Sequence, residues 1–150
     1  MTIRVFEVFG IAAPQGSKRG GVSAITGKTF VYEQNSKRQS EWRRDVIDTT
    51  VRVRELEGWG TLDGCIEVDI EFRLPRPASV KISKRPYPNV KPDLDKITRN
   101  TLDGLKQAGM FTDDAQVINL SVSKRYAGDT PSQSPGATIR VGLVPLPVII

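Results

Sequence analysis

Histidine is missing from this chain of 150 residues, and cysteine occurs once, at Cys65. The absence of histidine excludes the usual general base, the commonest zinc ligand and every histidine-dependent catalytic triad. A single cysteine excludes an intramolecular disulfide and suits a reducing compartment. Its place at the start of an alternating segment predicts a small, half-buried residue. Any catalysis must therefore rely on carboxylates, lysine or arginine, hydroxyl groups or a hard metal ion.

Long apolar runs are also missing. Residues 143–150 are apolar, but a segment of this length with two prolines is too short to span a bilayer. Residues 1–10 lack the basic segment and apolar core of a secretory signal. We therefore expect a cytoplasmic protein without membrane contact, in which residues 143–150 pack against the chain or face a partner. The length favours a single domain across residues 1–150.

Positive charge is in excess, because 22 lysine and arginine residues stand against 17 acidic residues and give a formal net charge of +5. A basic surface favours a polyanionic partner, most commonly a nucleic acid. We expect no small-molecule organic cofactor. Basic residues in loops and on one helix face are candidates for DNA contacts, although a solvated surface explains such a helix face equally well. These candidates are Lys18, Arg19, Arg43, Arg44, Lys81, Lys84, Arg85, Lys91 and Lys96.

Hydrophobic periodicity predicts strands and two helices in this chain. Residues 65–74 alternate strictly between apolar and charged side chains, which predicts a half-buried strand. The first helix opens on a capping-box pattern, Ser36 to Gln39, and Gly109 ends the second. The order of elements predicts an α+β fold in which a small mixed β-sheet packs against two main helices. The predicted strands are 2–9, 29–32, 65–74, 116–126 and 138–144, the helices are 36–57 and 94–108, and the loops are 12–28 and 75–92.

Four aspartates flank the second predicted helix: Asp93 and Asp95 at its start, and Asp113 and Asp114 just after it. Each has an ordinary explanation as a helix cap, a charge near the positive helix end or a turn residue. We expect them to converge at one end of the fold, where their repulsion would require a cation. Oxygen ligands without histidine or cysteine favour Mg²⁺, with Mn²⁺ as a substitute. Such a metal activates water for attack on a phosphodiester.

The acidic segment resembles the signature of the RusA-type Holliday junction resolvases. Residues 93–117 read DLDKITRNTLDGLKQAGMFTDDAQV. The family signature has Asp-x-Asp-Asn, a lysine four residues after the second aspartate, Asp-Ala-Leu, Ala-Gly and then Asp-Asp-Ser/Ala-Gln. The similarity continues without a gap, and the flanking order of strands, basic loop and long helix is also similar.

The resemblance implies a function and a set of site residues. Asp93, Asp95 and Asp114 would be the Mg²⁺ or Mn²⁺ ligands, with Asp113 the less certain member of its pair. Family members are homodimers that bind four-way or other branched DNA and nick two strands symmetrically, in recombination and repair. Many are carried by phages or prophages. A chain with one acidic cluster needs a two-fold partner to cut two symmetric strands.

Two residues depart from the family pattern. The asparagine after the second aspartate is Lys96 in this chain, and the family's lysine falls at Arg99. Arginine keeps the positive charge and binds phosphate through two hydrogen bonds, but it does not readily exchange a proton. We therefore favour an electrostatic catalytic role for Arg99. If the lysine's role were proton transfer, either Lys96 would have to substitute or the rate would have to drop.

Two other functions are open. A nuclease of the PD-(D/E)xK class would use Pro92 and Asp93 as its first element, but no Asp/Glu-x-Lys follows on a downstream strand. A catalytically inactive DNA-binding dimer would keep the fold and the basic surface. The changes at Lys96 and Arg99 favour it, whereas retention of the carboxylates argues against it. Tyr87 is a candidate for stacking at the junction, although an ordinary loop aromatic is the simpler interpretation.

Overall fold

A computed structural model describes residues 2–16, 18–33, 36–128 and 133–149, apart from the side chains of residues 18, 19, 30–33 and 36. The elements follow one another in an α+β order. In sequence they are β1 (Ile3–Phe9), β2 (Lys18–Val22), β3 (Thr29–Glu33), α1 (Ser36–Glu57), β4 (Ile66–Leu74), α2 (Leu94–Gln107), a 3-10 turn (Asp114–Gln116), β5 (Val117–Tyr126) and β6 (Gly136–Leu143).

The main sheet has four strands in the order β1-β6-β4-β5. β6 pairs antiparallel with both β1 and β4, whereas β4 pairs parallel with β5. The connection between the parallel strands contains α2, as such crossovers require. The predicted mixed sheet with two main helices is therefore confirmed.

The prediction that residues 12–28 form a loop is wrong in part. Within this range β2 pairs antiparallel with β3 in a separate two-stranded sheet, with Lys18 opposite Glu33 and Val22 opposite Thr29. The centre of β2 is Gly20-Gly21, and glycine carries no side chain from which a period of two could be read. Backbone pairing, rather than side-chain alternation, defines this strand.

The core lies between the main sheet and the helices. The residues of β4 that alternate onto this side, from Ile66 to Leu74, are buried. Trp42 of α1 is also fully buried, and its indole Nε1 donates to the Thr101 hydroxyl of α2 at 3.0 Å. Where α2 packs on α1, a Cβ on Gly104 would lie 2.8 Å from Cγ1 of Val46. Close packing therefore fixes α2 against α1.

Several smaller predictions can also be compared with the structure. Cys65 is exposed rather than half-buried, because it precedes β4 instead of opening it. The side chain of Ser36 lies outside the described residues, and the Gln39 side-chain oxygen Oε1 accepts from the Gly16 amide at 3.0 Å. Of the two alternatives for the apolar segment 143–150, packing against the chain does not hold for Leu146, Val148 and Ile149, which are nearly fully exposed, and the partner-facing alternative stays a prediction. In the described part of the chain, no helix is long and apolar enough to cross a membrane.

Candidate active site

Asp93 and Asp95 lie at the amino-terminal end of α2. Asp93 is the residue before the first helical turn, and its side chain makes no capping hydrogen bond with a described residue. Its carboxylate instead lies 3.5 Å from the ammonium group of Lys96. Asp95 is exposed in the first turn. The capping explanation therefore does not account for the Asp93 carboxylate, which faces solvent beside a cation.

Asp113 and Asp114 differ in what their carboxylates do. Asp113 accepts a hydrogen bond from the Ala115 amide at 2.8 Å, while its own amide donates to the Gln116 side chain at 3.0 Å. This reciprocal capping box makes Asp113 structural. Asp114 is exposed, and its carboxylate lies 4.0 Å from the ammonium group of Lys106.

The four aspartates do not converge within one chain, so that prediction is wrong. Asp114 lies beside Lys106 at the carboxyl-terminal end of α2. At 1.5 Å of rise per residue, Lys106 is roughly 20 Å along the helix from Asp93. Among the described residues, no group of three or more acidic side chains could hold a metal ion.

The direction of β5 explains this separation. Lys124, near the end of β5, donates to the backbone carbonyls of Val90 and Pro92, each at 2.8 Å. The end of β5 therefore lies beside Asp93, and the start of β5, with Asp114, lies at the opposite end of α2. Helix α2 crosses the sheet in one direction, and β5 runs back in the opposite direction. The first residues of α2 and the first residues of β5 are therefore far apart.

Lys96 and Arg99 occupy the first two turns of α2. The Lys96 side chain is paired with Asp93, and its backbone carbonyl accepts from the Gln15 amide at 3.2 Å. Arg99 is exposed, one helical turn after Asp95, so the two side chains lie on one face. Both cations are near the amino-terminal acids, and Lys96 is in direct contact with one of them.

The predicted DNA contacts differ in exposure and in their hydrogen bonds. Arg43 donates to Asn100 at 2.9 Å and to Asp103 at 3.4 Å, so it joins the two helices. Arg85 is partly buried and donates to the Tyr126 hydroxyl at 2.7 Å. Lys18 and Arg19 belong to β2, but their side chains lie outside the described residues. The remaining candidates in loops and on α1, all exposed, are Arg44, Lys81, Lys84 and Lys91.

A cavity of about 660 Å³ opens beside Asp93. Its lining includes Lys96 and also Arg38 and Tyr126, which were not among the predicted site residues. The guanidinium of Arg76 stacks over the Tyr126 ring at 4.1 Å from its centroid. Sequence periodicity placed Arg38 on a helix and Tyr126 at a strand end, but only tertiary structure brings both to one cavity.

An unusual carboxyl group lies on α1, one turn after this cavity. Burial, followed by the charges of Asp48 and Glu41, raises the pKa of the Asp45 carboxyl above its ordinary value of 3.8, and Arg44 opposes this. Glu41 itself lines the cavity. The carboxyl groups of Glu41 and Asp45 therefore lie on a part of α1 that borders the cationic lining of the cavity.

Two comparisons with known proteins bear on this site. A curated relative, the uncharacterized protein YqaN of Bacillus subtilis (strain 168), is 26% identical over 131 residues, which cover 81% of this chain and 87% of that protein. The model of the family described as Endodeoxyribonuclease RusA matches residues 12–141. The matched range contains both pairs of aspartates, Lys96, Arg99 and every residue that lines the cavity except Ile11. The chain belongs to the RusA endodeoxyribonuclease family.

Proposed function

We propose that this protein is a divalent-metal-dependent endodeoxyribonuclease that resolves four-way DNA junctions as a homodimer by paired symmetric nicks. The observation that carries the proposal is the family match across residues 12–141, since this family implies a Holliday junction endodeoxyribonuclease. The exposed carboxylates of Asp93, Asp95 and Asp114 within that range support it. Mg²⁺ is the proposed metal, and Mn²⁺ would substitute for it.

The donor set fits a hard metal only if two protomers contribute. Asp93 and Asp95 supply oxygen ligands at one end of α2, and Asp114 supplies one at the other end. These ends are too far apart for one ion, but a two-fold axis places unlike ends of two copies together. Each site would then combine Asp93 and Asp95 of one protomer with Asp114 of the other. Bound there, the metal would supply an activated water and stabilise charge on the phosphate.

The open edge of β5 is the surface that suits such a pairing. β5 is the last strand of the sheet, and two large apolar side chains on it, Ile118 and Leu120, are 59% and 44% exposed. If the two β5 strands paired antiparallel, the start of one would meet the end of the other. Because Lys124 holds the end of β5 to Pro92, this arrangement brings Asp114 towards the partner's Asp93.

The basic residues have two roles in this proposal. Lys96 and Arg99 stabilise the additional negative charge on the phosphate near the carboxylates, without exchanging a proton. Arg44, Lys81, Lys84 and Lys91 contact DNA phosphates, so junction binding should weaken steeply as salt is added. Lys18 and Arg19 remain proposed contacts of the same kind.

The decisive experiment uses a four-way junction labelled on each arm, incubated with the protein in Mg²⁺, in Mn²⁺ and in chelator. We expect paired symmetric nicks in both metals and none in chelator. Asp95→Asn should lower cleavage by at least a hundredfold and leave junction binding unchanged or tighter, because a carboxylate repels phosphate when no metal is bound.

Glu57→Gln, which removes an exposed carboxylate at the end of α1, is the matched control and should cut normally. Nicking by Asp95→Asn in Mg²⁺ at the normal rate would contradict the metal assignment. Junction binding without cleavage in either metal would instead identify the catalytically inactive DNA-binding dimer, which the departures at Lys96 and Arg99 favour.

A further inference from the structure

We propose that the cavity beside Asp93 binds one unstacked nucleotide of the DNA substrate, next to the phosphate that is cut. This inference rests on the proposed function for the identity of the polymer, because the cavity alone specifies only an aromatic, anionic ligand. A site of this kind would make an unstacked base part of substrate recognition.

The size and walls of the cavity suit a nucleobase. Its volume of about 660 Å³ is within the range of sites that enclose small organic molecules. The walls are formed largely by rigid or flat apolar side chains, and bases stack readily on such surfaces. These side chains are Leu74, Pro75, Pro88, Pro92 and Tyr126.

The orientation of the Tyr126 ring is fixed from two sides. Arg76 stacks over the ring, and the Arg85 guanidinium donates from its Nε to the ring's hydroxyl at 2.7 Å. Arg76 in turn donates to the backbone carbonyl of Arg85 at 2.7 Å. A ring held in this way is a preorganised surface, which lowers the entropy lost when a ligand binds.

The charges at the cavity suit the sugar–phosphate part of the ligand. Four cationic residues line it, and these are Arg38, Arg85, Lys91 and Lys96. Asp93 belongs to the same lining and lies 3.5 Å from the Lys96 ammonium group. A base in the cavity would therefore carry its flanking phosphate to the carboxylate that is proposed to hold the metal.

Two side chains of α1 offer contacts to a base edge. Arg38 and Glu41 are three residues apart on the helix, and both line the cavity. Such a spacing places them on one face. A guanidinium only donates hydrogen bonds and a carboxylate only accepts them, so together they match a base edge that carries both an acceptor and an amino group.

This cavity gives a physical reason for preferring branched DNA. Extruding a base from a continuous duplex costs a few kcal/mol, and the cost is smallest where pairing and stacking are already disrupted. A branch point provides such bases, whereas linear duplex does not. Because extruding a base costs less free energy at a junction, a protein that binds the extruded base in this cavity would bind a junction more tightly than a linear duplex.

The test measures binding in chelator, so it does not depend on cleavage. Single abasic nucleotides are placed in turn around the crossover of a four-way junction, and the affinity of the dimeric protein for each junction is measured by fluorescence anisotropy. We expect about a tenfold loss at one symmetric position and little change elsewhere, as base stacking contributes on the order of 1–3 kcal/mol.

Val90→Trp is the variant that fills the cavity, because Val90 lines it and is 42% exposed. With this variant the abasic substitution should have no further effect, since the base can no longer enter. Val51→Trp, at a similarly exposed position on α1, is the matched control and should keep the position-dependent loss.

Equal affinity of the wild-type protein for every abasic junction would overturn the inference. So would a position-dependent loss that persists in Val90→Trp, provided that both tryptophan variants unfold at the wild-type temperature. Failure of the proposed nuclease function has a different signature, which is absence of nicking in Mg²⁺ regardless of the abasic pattern.

Discussion

Two aspartates in similar positions of this chain have different roles, and the difference is visible only in their hydrogen bonds. Asp93 and Asp113 each precede a helical turn with an extended backbone. Asp113 uses its carboxylate to cap that turn, whereas the Asp93 carboxylate makes no such cap with a described residue and pairs with the half-exposed Lys96 side chain. A carboxylate committed to a cap is a poor metal ligand, so the structure favours Asp93 over Asp113 for the proposed site.

Arg99 is predicted to act through its charge. Arg99→Lys should cut four-way junctions within a few-fold of the wild-type rate, because charge rather than proton transfer is the proposed role. Arg99→Gln should be slower by roughly thirtyfold, equivalent to about 2 kcal/mol of lost transition-state stabilisation. The measurement is the single-turnover cleavage rate in Mg²⁺ between about pH 6 and pH 9. A lysine whose pKa is lowered by its surroundings would titrate within this range.

The control for Arg99 is Arg52→Gln, which removes an exposed cation from α1. A new ionisation in the pH–rate profile of Arg99→Lys, with a large gain in rate at high pH, would show that the native site needs a proton-transfer group. The electrostatic role would then be wrong.

The elements show which parts of the fold could be read from sequence. α1 begins and ends at the predicted residues, and α2 ends within one residue of the prediction, because their apolar stripes and the stop at Gly109 are local signals. Gly109 has a φ of 79°, a conformation that glycine adopts without strain. β2 was missed because its glycines carry no pattern. The separation of the aspartates was missed because it depends on the relative direction of α2 and β5, which no local signal specifies.

The contact between the helices gives a stability prediction. Gly104→Ala would gain up to about 1 kcal/mol from helix propensity, but its Cβ would meet Val46 at 2.8 Å. We expect a net destabilisation of about 1–2 kcal/mol, since overpacking a core commonly costs 1–3 kcal/mol. Urea denaturation measures the change.

Two further variants isolate the cause. Gly60→Ala should be nearly neutral, because no described atom beyond the neighbouring residues lies within 4 Å of the added Cβ. Val46→Ala combined with Gly104→Ala should destabilise less than the sum of the two single changes, as the smaller side chain leaves space. Strict additivity would mean that the helices do not meet at this point.

For the molecule as a whole, the proposed shared site predicts recovery of activity by mixing. Asp93→Asn and Asp114→Asn should each be inactive as homodimers. A heterodimer of the two variants contains one site with all its carboxylates, since Asp93 comes from one chain and Asp114 from the other. Co-expression with two affinity tags, followed by purification on both, should give a protein that nicks one strand of the junction.

Leu120→Lys in both chains is the control, because a charge on the exposed edge of β5 should prevent pairing and leave a folded, inactive monomer. If the doubly purified heterodimer were as inactive as its parents, the carboxylates would not be shared between protomers. If Leu120→Lys left the dimer intact, the interface would lie on another surface.

The opposite directions of α2 and β5 have a consequence for when such a nuclease can cut DNA. In the proposed shared site, a newly made or diluted monomer would carry no complete catalytic centre, because Asp93 and Asp114 of one chain lie at opposite ends of α2. Below the dissociation constant of the dimer, the rate of strand cutting should rise with the square of the protein concentration. Assembly on a branched substrate would raise the local concentration of both copies, so destructive activity would appear only where two of them meet.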